Sequence, residues 1–342
     1  MRLYIDAIGT IAPCQLFGDK LEVPEADGNV LKCIEPDYSA WISPQSIRRM
    51  SRILKMGTTS ALMAIRQASL TEVDAVITGT GYGCIEDTTS FLTKITELEE
   101  NALNPTPFMQ STHNTIGSLI ALLLQCRGYN QTFVHGSHSF EHALLDAMFV
   151  LDEQPALKIL IGGVDEWTES SHAIHSRFGK YRRPDIDGSM TLVNESRGAV
   201  AGEGASFFAI AGRRSSVSKS MIESIKTFIG PIKAHDVSSF LNDTHVDLVL
   251  CGFSGNARID QEIEKLMAAI FPHAAIGRFK HLCGEFTTAS AFAVALASRI
   301  LANSYNDLAS IGYQQHGNPI RTILVYNRYF AESHSLILMR AC

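Results

Sequence analysis

The sequence predicts an α/β fold built from two related halves, and three recurrences carry that reading. Asp74-Ala75-Val76-Ile77-Thr78-Gly79-Thr80-Gly81-Tyr82-Gly83 runs as an apolar strand into a small-residue turn, and Asp247-Leu248-Val249-Leu250-Cys251-Gly252-Phe253-Ser254-Gly255-Asn256 has the same form. Each is followed by a polar segment opening a smooth apolar helix, Ser111 to Leu124 first and His281 to Ala297 second. Both halves then end on a very apolar strand, Leu157 to Gly163 and Thr322 to Tyr326. The expected division is 1–204 and 205–342, with a polar region at 167–200 inserted into the first half. Chemistry is expected between the halves.

A chain of 342 residues can bury a large core. With 46% hydrophobic and 19% charged residues it is globular rather than disordered. The net charge of -6 and the lack of a long basic block argue against nonspecific nucleic-acid binding. A local basic patch remains compatible with an acidic carrier protein. The cysteines are Cys14, Cys33, Cys84, Cys126, Cys251, Cys283 and Cys342, an odd set without a CxxC pair. Free thiols in a reducing compartment follow. The N-terminus lacks a basic, then long apolar, leader, and no uninterrupted run is long enough to span a membrane. A cytoplasmic protein with no membrane partner is expected.

Along the chain, Leu3 to Ile8 reads as an opening strand, and Ala12 to Trp41 as a turn-rich stretch. Ser43-Pro44-Gln45-Ser46 marks a helix start, and Leu54 to Ala68 continues helically. Asp74 to Gly79 is almost wholly apolar after its first residue, as a strand covered on both faces requires. Asn101 to Gln110, with Pro105 and Pro107, is expected to be irregular before the helix around Ile116 to Leu124. Gln131 to Val134 is a short strand, and Ser139 to Leu151 a helix with apolar Phe140, Leu144, Ala147 and Met148. Leu157 to Ile161 reads as a buried strand stopped by Gly162-Gly163. Trp167 to Thr191 shows little periodicity. Strands follow at Ala205 to Ala211 and near Ser224 to Ile229. The alternation resumes with Val246 to Leu250, a helix around Ile263 to Ile270, an Ala-rich helix after Gly284, and two strands flanking Asn327 to Ser333.

Ser137 lies in His135-Gly136-Ser137-His138-Ser139, between a strand and a helix. Such an elbow exposes a side chain beside early helix N–H groups. The serine is a nucleophile only with a base in reach; otherwise it caps or turns the chain. His135, His138 and His142 form no complete metal signature. Lys280-His281-Leu282-Cys283-Gly284-Glu285 opens the second-half helix, where Lys280 can hold an anion and Glu285 gains from the helix dipole. A Cys283–His281 pair is a further candidate. Gly79-Thr80-Gly81-Tyr82-Gly83 lacks GxGxxG spacing and a Walker lysine, and Gly202-Glu203-Gly204-Ala205 reads as a tight turn feeding a strand. No cofactor or metal is implied.

In order and spacing, Val76-Ile77-Thr78-Gly79-Thr80-Gly81, Asn114-Thr115-Ile116-Gly117 through Gly128-Tyr129-Asn130, Ile161-Gly162-Gly163-Val164-Asp165-Glu166 and Gly202-Glu203-Gly204-Ala205 resemble the β-ketoacyl-acyl carrier protein synthases of the thiolase-like group. The resemblance spans nearly the whole chain. It implies a five-layer α-β-α-β-α fold from two related halves, a dimer, and acyl thioesters carried by acyl carrier protein or coenzyme A. It also implies an elbow cysteine that takes the acyl group, with two histidines, or a histidine and an asparagine, promoting decarboxylation.

Matched residue by residue, the nucleophile position falls on Ser137, and Gly252 stands where a histidine is expected. Lys280 and Gly284 keep the Lys-x-x-x-Gly-His motif, but Glu285 replaces its histidine. The glycine-rich gate is replaced around Asn327-Arg328-Tyr329-Phe330-Ala331-Glu332. Serine is harder to deprotonate than cysteine, Gly252 polarises nothing, and an ionised Glu285 opposes an enolate. The resemblance therefore implies a noncatalytic chain-length factor, which pairs with an active ketosynthase and shapes its acyl tunnel in type II fatty-acid or polyketide assembly. It also resembles bacterial synthases associated with aryl-polyene and related resorcinol pigments. The alternative is an active synthase or acyltransferase using Ser137 or a displaced thiol such as Cys283, with His135, His138 or His281 supplying the imidazole.

Overall fold

The computed structural model describes residues 1–18, 21–182, 198–302, 308–312, 319–330 and 333–342. Ten strands make one sheet: β1 (Leu3–Ile11), β2 (Ala75–Gly79), β3 (Tyr129–Phe133), β4 (Lys158–Asp165), β5 (Gly204–Ala211), β6 (Ser220–Ile229), β7 (Leu248–Cys251), β8 (Ala275–Arg278), β9 (Thr322–Tyr329) and β10 (Ser333–Ala341). Their spatial order is β8-β7-β9-β10-β6-β1-β5-β4-β2-β3. The first five run outward as β1-β5-β4-β2-β3 and the last five as β6-β10-β9-β7-β8, the same order with each number raised by five. Pairing directions match as well: β2 is parallel to β3 and β4, as β7 is to β8 and β9. Antiparallel contacts then link β4 to β5 to β1 and β9 to β10 to β6. The two sets join where Leu3, Tyr4 and Ile5 pair antiparallel with Ile222, Met221 and Ser220.

The helices repeat in step. Those with a counterpart in the other half are α1 (Arg52–Ala68), α2 (Thr115–Leu123), α3 (Ser139–Glu153), α4 (Ala234–Leu241), α5 (Ala257–Ile270) and α6 (Ala289–Leu301). With the first half's additional helices Ile85–Glu97, Pro105–Gln110 and Glu169–Arg177 set aside, each half runs strand, helix, strand, helix, strand, helix, strand, strand. The division at 204/205 falls at the head of β5, which pairs with β1 and β4; the turn 212–219 separates the two strand sets.

Strand side chains sort by alternation into layers. Ala75, Ile77, Ile159 and Ile161 from the first half, and Leu248, Leu250, Ile323 and Val325 from the second, meet around α3 and α6 in the central core. The intervening Val76 and Leu160 face α1 and α2. Val249, Leu324 and Tyr326 face α4 and α5. Five layers result, helix–strand–helix–strand–helix, with α3 and α6 in the middle. Every residue of α6 is buried, as its sequence Ala-Ser-Ala-Phe-Ala-Val-Ala-Leu-Ala-Ser-Arg-Ile-Leu demands of a helix apolar on nearly all sides.

Several local expectations change. Gly162-Gly163 does not stop its strand, because β4 continues to Asp165. A Cβ on Gly162 would lie 2.3 Å from the Phe207 ring, and one on Gly163 would lie 2.9 Å from Ala291 Cβ, so the glycines admit neighbours on both faces. The stretch 101–110 is not wholly irregular: Pro105–Gln110 is a short helix, with Pro105 at its start and the Asn104 side chain accepting from Thr106 N. Within the polar region, Glu169–Arg177 is helical behind a Thr168 N-cap, while 183–197 lies outside the described residues. The second-half helix begins later than expected, at Ala289, after a separate turn Lys280–Cys283.

Candidate functional site

Between β3 and α3 the chain makes a 3-10 turn over Gly136–His138. Gly136 takes φ +58, a left-handed conformation that glycine accepts without strain. The turn is closed by Ser139, whose Oγ accepts from His135 N at 2.9 Å and donates to Gly136 O at 2.7 Å. Ser139 thus closes the turn, and neither helix start carries a side-chain cap. Ser137 is buried at the elbow, and among the described residues no hydrogen bond joins its hydroxyl to an imidazole. His135 Nδ1 lies 2.6 Å from His142 Nδ1, so one ring donates to the other. Burial and the neighbouring His142 hold the His138 pKa below its usual value. Behind it, Tyr326 Oη and His334 Nδ1 are 2.8 Å apart, and burial pushes His334 down to about 4. Among the described residues no group of three or more His, Cys, Asp or Glu is placed to hold a metal ion.

The second-half positions converge. Gly252 ends the run after β7, donating its N–H to Tyr326 O at 2.8 Å. A Cβ there would lie 2.7 Å from Asn327 Oδ1, 2.9 Å from Lys280 Cε and 3.1 Å from Phe279 Cζ. The space a histidine would need is filled. Lys280 Nζ donates to Glu285 Oε1 and Oε2, each at 2.8 Å, and to Arg328 O at 2.7 Å. An ammonium has three donors, and all three are used. The carboxyl expected to stand against an enolate is instead clamped by its own lysine. Burial still outweighs that attraction and pushes the Glu285 pKa up to about 7.

His281 and Cys283 share the short turn but do not meet. His281 Nε2 is 2.7 Å from Ser310 O, and burial pushes the ring down to about 4. The Cys283 thiol donates toward Phe279 O and Gly284 O, and burial raises its pKa well above the usual range. A thiol so placed is held neutral. Thus Gly252, Lys280 and Glu285 are gathered at one point with Asn327, and Ser137, His135 and His138 lie at the head of α3.

Glu141 relates the two groups and was not singled out in the sequence. It is fully buried on α3, accepts from Ser335 Oγ at 2.7 Å, and has its pKa raised by burial and drawn back by serine hydrogen bonds and the charge of Lys280. A glutamate in the first turn of a buried helix was the available signal. Two other carboxylates hold the frame. Asp165, at the end of β4, accepts from Thr80 Oγ1 at 3.0 Å, Gly81 N at 2.8 Å, Thr288 N at 3.1 Å and Thr288 Oγ1 at 2.9 Å, and also from Thr287 Oγ1. It fastens the Gly79-Thr80-Gly81 turn to the loop leading into α6. Glu203 accepts from Arg52 through both oxygens and from Cys33 N and Trp167 N, each at 2.9 Å. The Gly202-Glu203-Gly204 segment is therefore a buried ion-pair anchor.

Strand order, duplication and a central helix layer meeting a strand-to-helix elbow define a thiolase-like fold. Residues 29–179 match the family model described as the beta-ketoacyl synthase N-terminal domain. Three solved structures share the fold over the whole chain. "The ishigamide ketosynthase/chain length factor" is 17% identical with a TM-score of 0.75, covering 100% of this chain and 99% of that one. A type II polyketide synthase acyl carrier protein in complex with its ketosynthase bound to the hexaketide (AntDE:AntF) is 15% identical with a TM-score of 0.79, covering 100% and 99%. The ketosynthase ApeO in complex with its chain length factor ApeC, from Xenorhabdus doucetiae, is 12% identical with a TM-score of 0.75, covering 99% and 98%. No curated protein matches the chain in sequence. Among the described residues no helix is long and apolar enough to cross a membrane.

Proposed function

We propose that this chain is a noncatalytic chain-length-factor-type subunit that pairs with an active ketosynthase in fatty-acid or polyketide-type biosynthesis. The observation that carries the reading is the filled second-half site: Lys280 and Asn327 crowd Gly252, and Glu285 is bound to Lys280. Decarboxylative condensation needs donors aimed at developing negative charge. Here the Lys280 ammonium is already saturated by acceptors. At the elbow, no imidazole among the described residues is hydrogen-bonded to the Ser137 hydroxyl to activate it.

The partner reading draws on the first-half sheet edge. β3 is an outermost strand with Tyr129, Asn130 and Gln131 exposed. Leu122 and Phe149, 74% and 70% exposed, lie on the helices that precede and follow it. An unpaired strand edge among exposed apolar side chains is a pairing surface in need of a partner. A ketosynthase of the same fold offers the matching edge, and an acyl carrier protein then delivers chains to the pair. The neighbouring complexes of ketosynthase with chain length factor and with carrier protein support this assembly. Coexpression with candidate type II ketosynthases tests it. The chain is expected to copurify in equal amount with one of them and to alter product length. A purified chain that condenses malonyl thioesters alone contradicts it.

A further inference from the structure

Lys280 and Glu285 lie at the same buried point as Gly252, with side chains 1% and 0% exposed. The lysine points both of its remaining donors at the two oxygens of one carboxylate, the geometry in which an ammonium receives a carboxylate ligand. Glu285 reaches this position from the loop before α6, whose backbone is pinned on both sides. Glu285 N donates to Val200 O at 2.8 Å, and Gly202 N donates to Glu285 O at 3.1 Å.

We propose that the Lys280 ammonium, oriented by its hydrogen bond to the Arg328 carbonyl, forms a carboxylate-binding site that this chain fills with its own Glu285, so that the acid group of a carboxylated ligand is excluded by an internal substitute. This deepens the noncatalytic reading and rests on it. The site is then self-occupied rather than merely short of a catalytic residue. Truncating Glu285 leaves a buried ammonium with two unsatisfied donors and a void the size of a small carboxylate. Formate or acetate can enter such a void and restore the pair.

Thermal unfolding of Glu285→Ala, alone and combined as Lys280→Met/Glu285→Ala, is measured in chloride, formate and acetate. Glu285→Ala is expected to melt roughly 5–10 °C below the wild type in chloride, the scale of an orphaned buried charge in a chain of this size. About 100 mM formate or acetate is expected to recover at least half of that loss by binding the folded state. The double variant is expected to show no carboxylate-specific recovery. Equal melting of Glu285→Ala in all three salts overturns the proposal. The wild type supplies a second reading even if that variant does not fold. Malonate and acetate at the same concentration are expected to leave its melting temperature where chloride leaves it. A malonate-specific rise that disappears in Lys280→Met overturns the proposal too. Turnover of malonyl thioester by the wild type would contradict the noncatalytic reading through a separate readout, so the two failures are distinguishable.

Discussion

Gly202 and Gly284 meet backbone to backbone: a Cβ on Gly202 would lie 2.0 Å from Cys283 O, and one on Gly284 would lie 2.5 Å from Gly202 Cα. This crossing holds the Lys280–Glu285 loop against the Gly202-Glu203-Gly204 segment through the two backbone hydrogen bonds of Glu285. Gly284 also takes φ +77, which a side chain resists. Gly202→Ala is expected to lower stability by about 2–4 kcal/mol, since the obstructing atoms are backbone and cannot swing aside. Urea denaturation checks it, and an unchanged midpoint would mean the crossing is not tight.

Between about pH 7 and pH 8 stability is expected to fall as pH rises; below that window the buried His281 and His334, pushed down to about 4, pull the other way. Burial raises the pKa values of Glu285, to about 7, and of Glu166, to about 8. Asp165 and Glu141 move in the same direction. A carboxyl with a folded pKa above its unfolded value holds its proton longer in the native state. Its contribution is therefore fully present below the unfolded pKa and lost as pH climbs through the folded one. Each such group can add up to about 1.4 kcal/mol of slope per pH unit inside its window. Glu166→Gln is expected to flatten the upper part of the profile, measured as urea midpoint against pH. A wild-type midpoint that rises over this range would contradict the assignment.

Thiol chemistry separates the noncatalytic reading from one that uses a displaced cysteine. Of the seven cysteines, Cys14, Cys33, Cys84, Cys251 and Cys283 are buried, and only Cys126 and Cys342 are partly accessible. Burial pushes Cys14 up to about 12 and holds Cys33 and Cys283 well above the usual range. At pH 7.5 a chromogenic disulfide reagent is expected to label at most two thiols in the native chain and all seven in guanidinium. Rapid native labelling of Cys283, located by peptide mapping, would restore it as a nucleophile.

The pairing surface is open to a charge test. Leu122→Asp and Phe149→Asp are expected to abolish copurification with the ketosynthase while leaving the melting temperature within about 2 °C of the wild type. Both side chains are largely exposed, so the folded subunit loses little when they change. Retained heterodimer in both variants would move the interface elsewhere.

The duplicated architecture was legible because its strongest signals are local. The apolar runs Val76 to Gly79 and Leu248 to Cys251 become β2 and β7, and the elbow at Ser137 falls between β3 and α3 as expected. Strand ends were less legible wherever a distant neighbour decides the outcome. Gly162 and Gly163 continue a strand because Phe207 and Ala291 pack against them, which no window around residue 162 reveals. The site divides in the same way. Gly252, Lys280 and Glu285 could be named from motif position, but their mutual contact could not. Glu141 and the Arg52–Glu203 anchor join residues far apart in the chain, and single carboxylates carry no periodic signal.

On the proposed function, the chain carries no acyl intermediate of its own. Intact-mass spectrometry of the chain, mixed with acyl carrier protein loaded with a short acyl group and with its coexpressed ketosynthase, measures it directly. The acyl mass increment is expected on the ketosynthase alone, with product formation unchanged by Ser137→Ala. An acyl increment on this chain that vanishes in Ser137→Ala, together with β-ketoacyl product from the chain by itself, would contradict it.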